Sequence, residues 1–320
     1  MHRTGLKIIT AAASLAVAAA AFAVPVAAQD EMERTACLLA PAADTPYSSR
    51  INAQIQEYGA ENGIDVTVLS AEGDLQAQVD QFRDCLARPV DGIMLIAVDA
   101  LGIGPVLQEA SDAGVPVLAV NSGVDASLQS LTEGFTGPDY TLQAEILADY
   151  TCETLLPEGG NVAIVTGALG YSATIERTDG FVNRIAEACP DSVTIIDQQP
   201  GDWSQQRSLE VARDLVTKHG DDLDMIYAED DTMAAGVAEG LAQADATDVI
   251  LVGVGGNQDG FRLMGEDAMA ATVYQSPVID GTLAVDTLLQ VFAGEDIPDR
   301  TPIDSPVITP DNLSEFEPAY

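Results

Sequence analysis

Three consecutive acids, Glu229, Asp230 and Asp231, stand before an alanine-rich apolar run in EDDTMAAGVAEG. Acids there can start a helix, because a side-chain oxygen at the cap and negative charge in the first turn satisfy free N–H groups and the helix dipole. They can also ligate a metal, move protons, or accept hydrogen bonds from a neutral polar ligand. Metal binding has little support, since no histidine is near Asp230 and Asp231 and no calcium-loop spacing is present. Glycoside hydrolysis needs carboxylates on either side of a bond, which adjacency in sequence does not provide. After residue 28 the one histidine is His219, in KHGDD at the end of a helical stretch, where a cation is structurally ordinary. GYSAT lacks the second glycine of a nucleophile elbow, and Walker A and H-E-x-x-H motifs are missing. GVGGNQDG follows the strand-like VILV, but Gln258 stands where a dinucleotide loop has its third glycine. The expectation is a protein that binds rather than catalyses, with no metal and no cofactor.

Hydrogen-bonding and aromatic groups instead recur just after strand-like runs. Tyr47 and Ser48 follow the first such run, and Asn121 and Ser122 follow VPVLAV. Arg177 precedes Gly180-Phe181, and Trp203 follows VTIIDQQPGD. Asp230 follows MIYAE, Asn257 follows VILVGVGG, and Gln275 ends AATVYQ. Each residue alone also fits local capping or packing. As a group they suit a neutral polyhydroxyl ligand, with aromatic faces over C–H surface and charged or amide groups on hydroxyls.

The elements that must position them alternate. ACLLA leads to SSRINAQIQEYGAENG, IDVTVLS to LQAQVDQFRDCLA, and DGIMLIAVD to IGPVLQEASDAG, before VPVLAVN. Continuous apolar strands with helical crossovers imply a parallel sheet covered on both faces. After GFTGPDY the pattern restarts with LQAEILADYTCETL, NVAIVTG, a helix through Gly180-Phe181-Val182, and VTIIDQQ. SQQRSLEVARDLVTKHG, LDMIYAE, the Asp231 helix, VILVGVGG and AATVYQ complete it. A helix from Ile279 to Phe292 and a tail, TPIDSPVITPDNLSEF, remain. The fold class is α/β, with two open lobes whose strand C-termini face a common cleft.

The 320 residues carry 13 bases against 51 acids, a net charge of −38, and the only lysines are Lys7 and Lys218. Such a surface repels nucleic acid and anionic membranes. It fits either a saline habitat or a generically acidic exported protein. MHRTGLK followed by IITAAASLAVAAAAFAV and VAAQD reads as a signal peptide, residues 1–28, cleaved after Ala28. Its removal takes Arg3 and Lys7, leaving 11 bases against 51 acids, or −40. Export permits disulfides. Cys37, Cys85, Cys152 and Cys189 allow three pairings or free buried thiols. Cys37–Cys85 with Cys152–Cys189 keeps each bond within one half of the chain.

Taken in order, DGIMLIAVDA with AGVPVLAV, NVAIVTG with ERTDGF, GDW, EDDTMAAGVAEGLAQA, VILVGVGG and AATVYQSPVIDG resemble the ribose-type periplasmic sugar-binding proteins, exported receptors of ABC importers. The resemblance runs from Gln29 to Tyr320. It implies two Rossmann-like lobes joined by a three-strand hinge, with crossovers near Thr136-Gly137, Gln275-Ser276 and Ser305-Pro306. The N-terminal lobe is then 29–135 plus 277–304, and the C-terminal lobe 136–276 plus 305–320.

By the same resemblance Tyr47 packs on the sugar while Ser48 replaces a second aromatic. Arg177 matches an arginine that binds hydroxyls, Trp203 the cleft aromatic, and Gln275 the hinge glutamine. Asp230 stands where the family commonly has asparagine, so it faces the cleft. Glu229 then ends the strand edge, and Asp231 or Thr232 caps the helix. Asn121-Ser122 replaces the common Asp-Arg pair, and Gly255 the aspartate of V-G-x-D-G. These departures point away from ribose and towards another small neutral monosaccharide or polyol. The implied setting is a periplasmic monomer that delivers its ligand to an ABC permease in the inner membrane. The alternative is a receptor for a chemotaxis or sensor-kinase system, and a glycosidase using the acids is the least favoured reading.

Overall fold

A computed structural model describes residues 1–2, 34–42 and 45–320. The expected cleavage after Ala28 and nearly all of the expected signal peptide lie outside the described residues. From residue 34 the chain runs β1 (Arg34–Ala40), α1 (Pro46–Glu61), β2 (Ile64–Ser70), α2 (Leu75–Leu86), β3 (Gly92–Leu95), α3 (Gly104–Ala113), β4 (Val117–Val120) and β5 (Gly134–Pro138). Next come α4 (Tyr140–Tyr150), β6 (Gly160–Thr166), α5 (Ser172–Ala188), β7 (Val193–Pro200), α6 (Gln205–His219), β8 (Met225–Ala228) and α7 (Asp231–Gln243). The chain ends through β9 (Ile250–Gly255), α8 (Gln258–Gly265), β10 (Ala271–Tyr274), α9 (Pro277–Ala293), β11 (Arg300–Ile303) and β12 (Val307–Ile308).

These strands form two six-stranded sheets, ordered β11-β5-β4-β3-β1-β2 and β12-β10-β9-β8-β6-β7. The ladders are parallel apart from β10 with β12. The apolar runs become central strands because helices cover both faces of each sheet. In the first sheet Leu38, Met94 and Leu118 pack on one side with Ile51 and Leu288, while Leu39, Ile93 and Val117 pack on the other with Phe82 and Leu107. Neighbouring residues of one strand therefore feed opposite cores, as the two-residue period requires. Each fully buried Leu or Ile side chain contributes roughly 1.5–3 kcal/mol.

The chain passes between the sheets after β5, after β10, and between β11 and β12. The tail, where the resemblance implies a crossover near Ser305-Pro306, thus gives one short strand to each sheet. Pro302 is tolerated in β11 because that strand lies at the sheet edge. The expected single helix LQAEILADYTCETL is α4 followed by a wider, π-type turn, Thr151–Leu155. Cys37 of β1 is bonded to Cys85 of α2, and Cys152 of that wide turn to Cys189 after α5.

Candidate functional site

The C-terminal ends of both sheets face a cleft that encloses a cavity of about 110 Å³. On the first-sheet side, Thr45 caps α1 and Pro46 occupies its first turn, which places Tyr47 and Ser48 on the cavity wall. Asn121 and Ser122 follow β4 and reach the same wall. The Tyr47 hydroxyl donates to Asp280 Oδ2 at 2.8 Å. Asn121 Nδ2 donates to the same oxygen at 2.8 Å and to Tyr47 Oη at 3.2 Å. Asp280, in the first turn of α9, is fully buried, and burial pushes its pKa up to about 7 against the hydrogen bonds from Asn121 and Tyr47. The Asn121 amide nitrogen is thereby committed inward, so its carbonyl oxygen is what it has left to offer a ligand.

On the second-sheet side, Arg177 of α5 is almost fully buried. Its Nε and Nη2 donate to Gln143 Oε1, Nη2 also donates to Gln275 Oε1 at 2.6 Å, and Nη1 donates to the Glu229 carbonyl at 2.7 Å. These contacts use four of its five N–H groups. Its guanidinium lies 4.7 Å from the centroid of the Tyr140 ring. Gln143 Nε2 continues to Ser305 Oγ at 2.9 Å, in the connection between β11 and β12. The cleft arginine is therefore tied to two of the three interlobe passages, at Gln275 and at Ser305.

Trp203 also lines the cavity, with a left-handed backbone (φ 56) next to Asp202 (φ 55). That conformation is costly for a bulky residue, and here it aims an indole into a cleft. Gly167 opposite has no side chain because a Cβ there would fall inside the indole. Asn121 is left-handed too (φ 55), so strained backbone marks both walls.

The three acids separate into three environments. Asp230 is the N-cap of α7, accepting from Met233 N at 3.0 Å, and it lines the cavity. The expected cap at Asp231 or Thr232 is corrected: Asp231 is fully buried behind the site. It accepts from Gly256 N at 2.6 Å, Asn257 N at 3.2 Å and Thr272 Oγ1 at 2.8 Å. Glu229 stands at the end of β8 as expected, its N–H donating to Val165 O of β6 at 3.1 Å, and it is fully buried, accepting from Gly167 N at 2.8 Å and from Thr178 Oγ1. Burial pushes the pKa of both Glu229 and Asp231 up to about 7. Asp230 is raised too, by burial, against its bond from Met233 and the charge of Arg177.

Asn257 is the expected site residue that the structure does not bring to the cavity wall. Its Oδ1 caps α8 by accepting from Gly260 N at 3.0 Å, and its Nδ2 points to Thr232 Oγ1 at 3.4 Å. Gln275, buried after β10, does reach the wall. Sequence reasoning missed Tyr140, Tyr171, Thr232 and Tyr320 on the wall, with Gln143 and Asp280 behind it. Tyr140 and Tyr171 follow β5 and β6 closely, so the rule of looking just after strands would have found them.

The walls meet at the rim. Ser172 Oγ accepts from Gly123 N at 2.8 Å, Ala100 N donates to Gly170 O at 3.0 Å, and Arg300 pairs with Glu176 at 3.0 Å. A profile described as a periplasmic binding protein domain matches residues 36–296. The chain belongs to the periplasmic binding protein family. Proteins of this family are substrate-binding proteins rather than enzymes. Among the relatives is the ribose import binding protein of Escherichia coli, 25% identical over 288 residues, covering 90% of this chain and 95% of that one. The xylitol-binding protein of Mycolicibacterium smegmatis is 26% identical over 260 residues, 80% of this chain and 72% of that one. The crystal structure of a galactofuranose binding protein shares the fold, with a TM-score of 0.82 at 24% identity, over 88% of this chain and 96% of that one.

Proposed function

We propose that this protein is the solute-binding component of an ABC importer, and that it captures one small neutral sugar or sugar alcohol between its lobes. The observation that carries the reading is the mixed cavity wall. Aromatic rings of Tyr47 and Trp203 alternate with an arginine N–H, the Asp230 carboxylate and the Asn121 carbonyl. Gln275 Oε1 already accepts from Arg177 and Gln143, which leaves its amide nitrogen as a donor. Hydroxyl groups both donate and accept, so a polyol can satisfy such a wall, and its C–H faces can lie on the rings. An anion would meet one buried cation inside a strongly negative molecule. The names of the relatives, ribose import and xylitol-binding proteins, support the same chemical class.

Ligand groups bridging Arg177 and Asp230 on one lobe to Tyr47 and Asn121 on the other favour the closed form by their differential affinity. We place residues 29–135 with 277–304 in one moving lobe and the remainder in the other. The working form is a monomer in the periplasm, released by cleavage after Ala28, and its closed form is presented to an inner-membrane permease. Among the described residues no helix is long and apolar enough to cross a membrane. A thermal-shift screen against aldoses, ketoses and alditols tests the reading. A true ligand raises the midpoint in proportion to the logarithm of its concentration. A panel with no such response, repeated by calorimetry, removes the proposal.

A further inference from the structure

The segment after β12 turns through Leu313–Glu315 and then runs back to the cleft. Ala319 N donates to Gly256 O at 2.8 Å, and Gln258 N donates to Tyr320 O at 3.1 Å. Those two bonds fix Tyr320 beside the β9–α8 loop and send its side chain onto the cavity wall. Its ring meets that of Tyr47 edge-on, with centroids 5.5 Å apart and planes at 87°. Tyr47 belongs to the other lobe, so this aromatic contact spans the cleft. At Gly255 an added Cβ would stand 3.3 Å from the Tyr320 hydroxyl and 3.3 Å from Asp231 Oδ2. Gly255 also has φ 140, a conformation open to glycine. The bare backbone at Gly255 is what gives the phenol its place.

We propose that Tyr320 is a ligand-contacting, specificity-setting residue of the cleft, one whose ring comes against Tyr47 of the opposite wall only when the lobes close. The inference rests on the cleft being the site of a small polyhydroxy ligand. Asn257, which does not reach the wall itself, caps α8 behind the loop that holds Tyr320, since its Oδ1 accepts from Gly260 N while Gln258 N donates to Tyr320 O. Burial raises the phenol's pKa, and Asp230 and Asp231 add to the effect, so the hydroxyl stays neutral and can both donate and accept. The ring also limits the length of what fits, because it closes the space beside Tyr47. Asp230, Thr232 and Gly255 lie on the same wall, so the hydroxyl works within one polar group rather than alone. The limit set between Tyr320 and Tyr47 exists only in the closed form, which makes that part of its contribution a reading of size at the moment of closure.

The test is calorimetry of wild type, Tyr320→Phe and Tyr320→Ala against the same aldoses, ketoses and alditols, with disaccharides added. Unliganded thermal midpoints and circular dichroism check the fold, and Tyr320→Phe keeps the ring if the alanine variant is unstable. The expected result is a loss of at least about tenfold in affinity for Tyr320→Ala and a smaller loss for Tyr320→Phe. Disaccharide binding should be gained in the alanine variant alone. Unchanged affinities and an unchanged ligand range in both variants, with wild type binding, overturn the role of Tyr320 and leave the cleft reading standing. A wild type that binds no member of the panel overturns the cleft reading, and this inference with it.

Discussion

Tyr47 donates its hydroxyl to Asp280 at 2.8 Å, although the two residues lie 233 positions apart in sequence. The bond joins α1 to the first turn of α9 directly behind the cavity wall. It fixes the phenol's direction, and with Asn121 it saturates Asp280 Oδ2, while Oδ1 is buried with no hydrogen-bond partner. An unpartnered buried carboxylate oxygen favours the protonated acid.

That acid, with Glu229 and Asp231, sets a pH dependence of stability. Burial holds all three at about 7, above the ordinary carboxylate range near pH 4. Between those limits the folded protein binds more protons than the unfolded chain, so stability falls as pH rises. The contribution is full below about pH 4 and is lost as pH passes about 7, at up to about 1.4 kcal/mol per pH unit for each group. Asp91 is held below the carboxylate range chiefly by the hydrogen bond from Thr35 N, so its own contribution is lost only at still lower pH. Urea midpoints should therefore drop from about pH 5 to about pH 7.5, and Asp280→Asn should flatten part of the slope. Identical slopes in the two proteins would contradict the assignment to Asp280.

Much of this frame could be read from the sequence, and the reasons are physical. Runs such as VLAV and MIYA are buried on both faces, so their composition alone announces central parallel strands. Wall residues that stand immediately after strands, such as Asn121 and Asp230, come into view once the strands are placed. Asp280 was invisible because its partners, Tyr47 and Asn121, are 233 and 159 positions away. Tyr320 gave no signal, since only the path of the segment after β12 brings it back to β9. The cap within Glu229-Asp230-Asp231 falls on Asp230 and not on Asp231 or Thr232 for a local reason. A helix N-terminus accepts a cap at any of several adjacent positions, and the choice was made by Gly256 and Thr272, which drew Asp231 inward.

Arg177 should matter for stability as well as for binding. Arg177→Ala takes the buried donor from Gln143 Oε1 and the Glu229 carbonyl and leaves Gln275 Oε1 only the 3.3 Å bond from Gln143 Nε2. Such a loss costs about 3 kcal/mol, and removing its hydrogen bond to ligand costs at least about 1.5 kcal/mol of affinity. Arg177→Lys should recover little of either, because one ammonium cannot span three acceptors in a fixed plane. Denaturant titration paired with calorimetry checks both numbers. A fully stable, fully binding Arg177→Ala would remove this residue from the site.

Asp230→Ala separates two roles that coincide in one side chain. Losing the cap of α7, where Oδ1 accepts from Met233 N, costs about 1 kcal/mol of stability. Losing an acceptor on the cavity wall costs at least about 1.5 kcal/mol of affinity. Asp230→Ser retains a capping oxygen but not the charge. It should restore stability while leaving affinity low. Recovery of both properties by serine would show that Asp230 acts on the ligand only through the helix.

The two disulfides close loops of 48 and 37 residues. The chain-entropy relation assigns each about 4 kcal/mol, since the cost of closing a loop grows only with the logarithm of its length. Each bond lies within one lobe, so reduction should lower the unfolding midpoint without weakening ligand binding in the protein that stays folded. Urea titrations with and without reductant, and calorimetry of the reduced protein at low denaturant, measure the two effects separately. A reduced protein of unchanged midpoint would contradict the first expectation, and one that is folded but does not bind would contradict the second.

Salt should stabilise this protein. The whole sequence carries −38, and the fragment expected after cleavage carries −40, so like charges dominate its long-range field. Added salt also screens favourable pairs such as Arg83–Glu109 and Arg184–Asp149, but both are partly exposed, and such pairs contribute at most about 1 kcal/mol each. Screening of the net repulsion therefore outweighs the loss of these pairs. Most of the gain should come below about 1 M, where the Debye length shrinks from about 10 Å to about 3 Å. Unfolding midpoints in a potassium chloride series test this. A midpoint that is flat through that range would show that the acids are spaced too widely for their repulsion to count. A rise confined to higher salt, and larger with sulfate than with chloride, would assign the effect to exclusion of salt from the surface instead of screening.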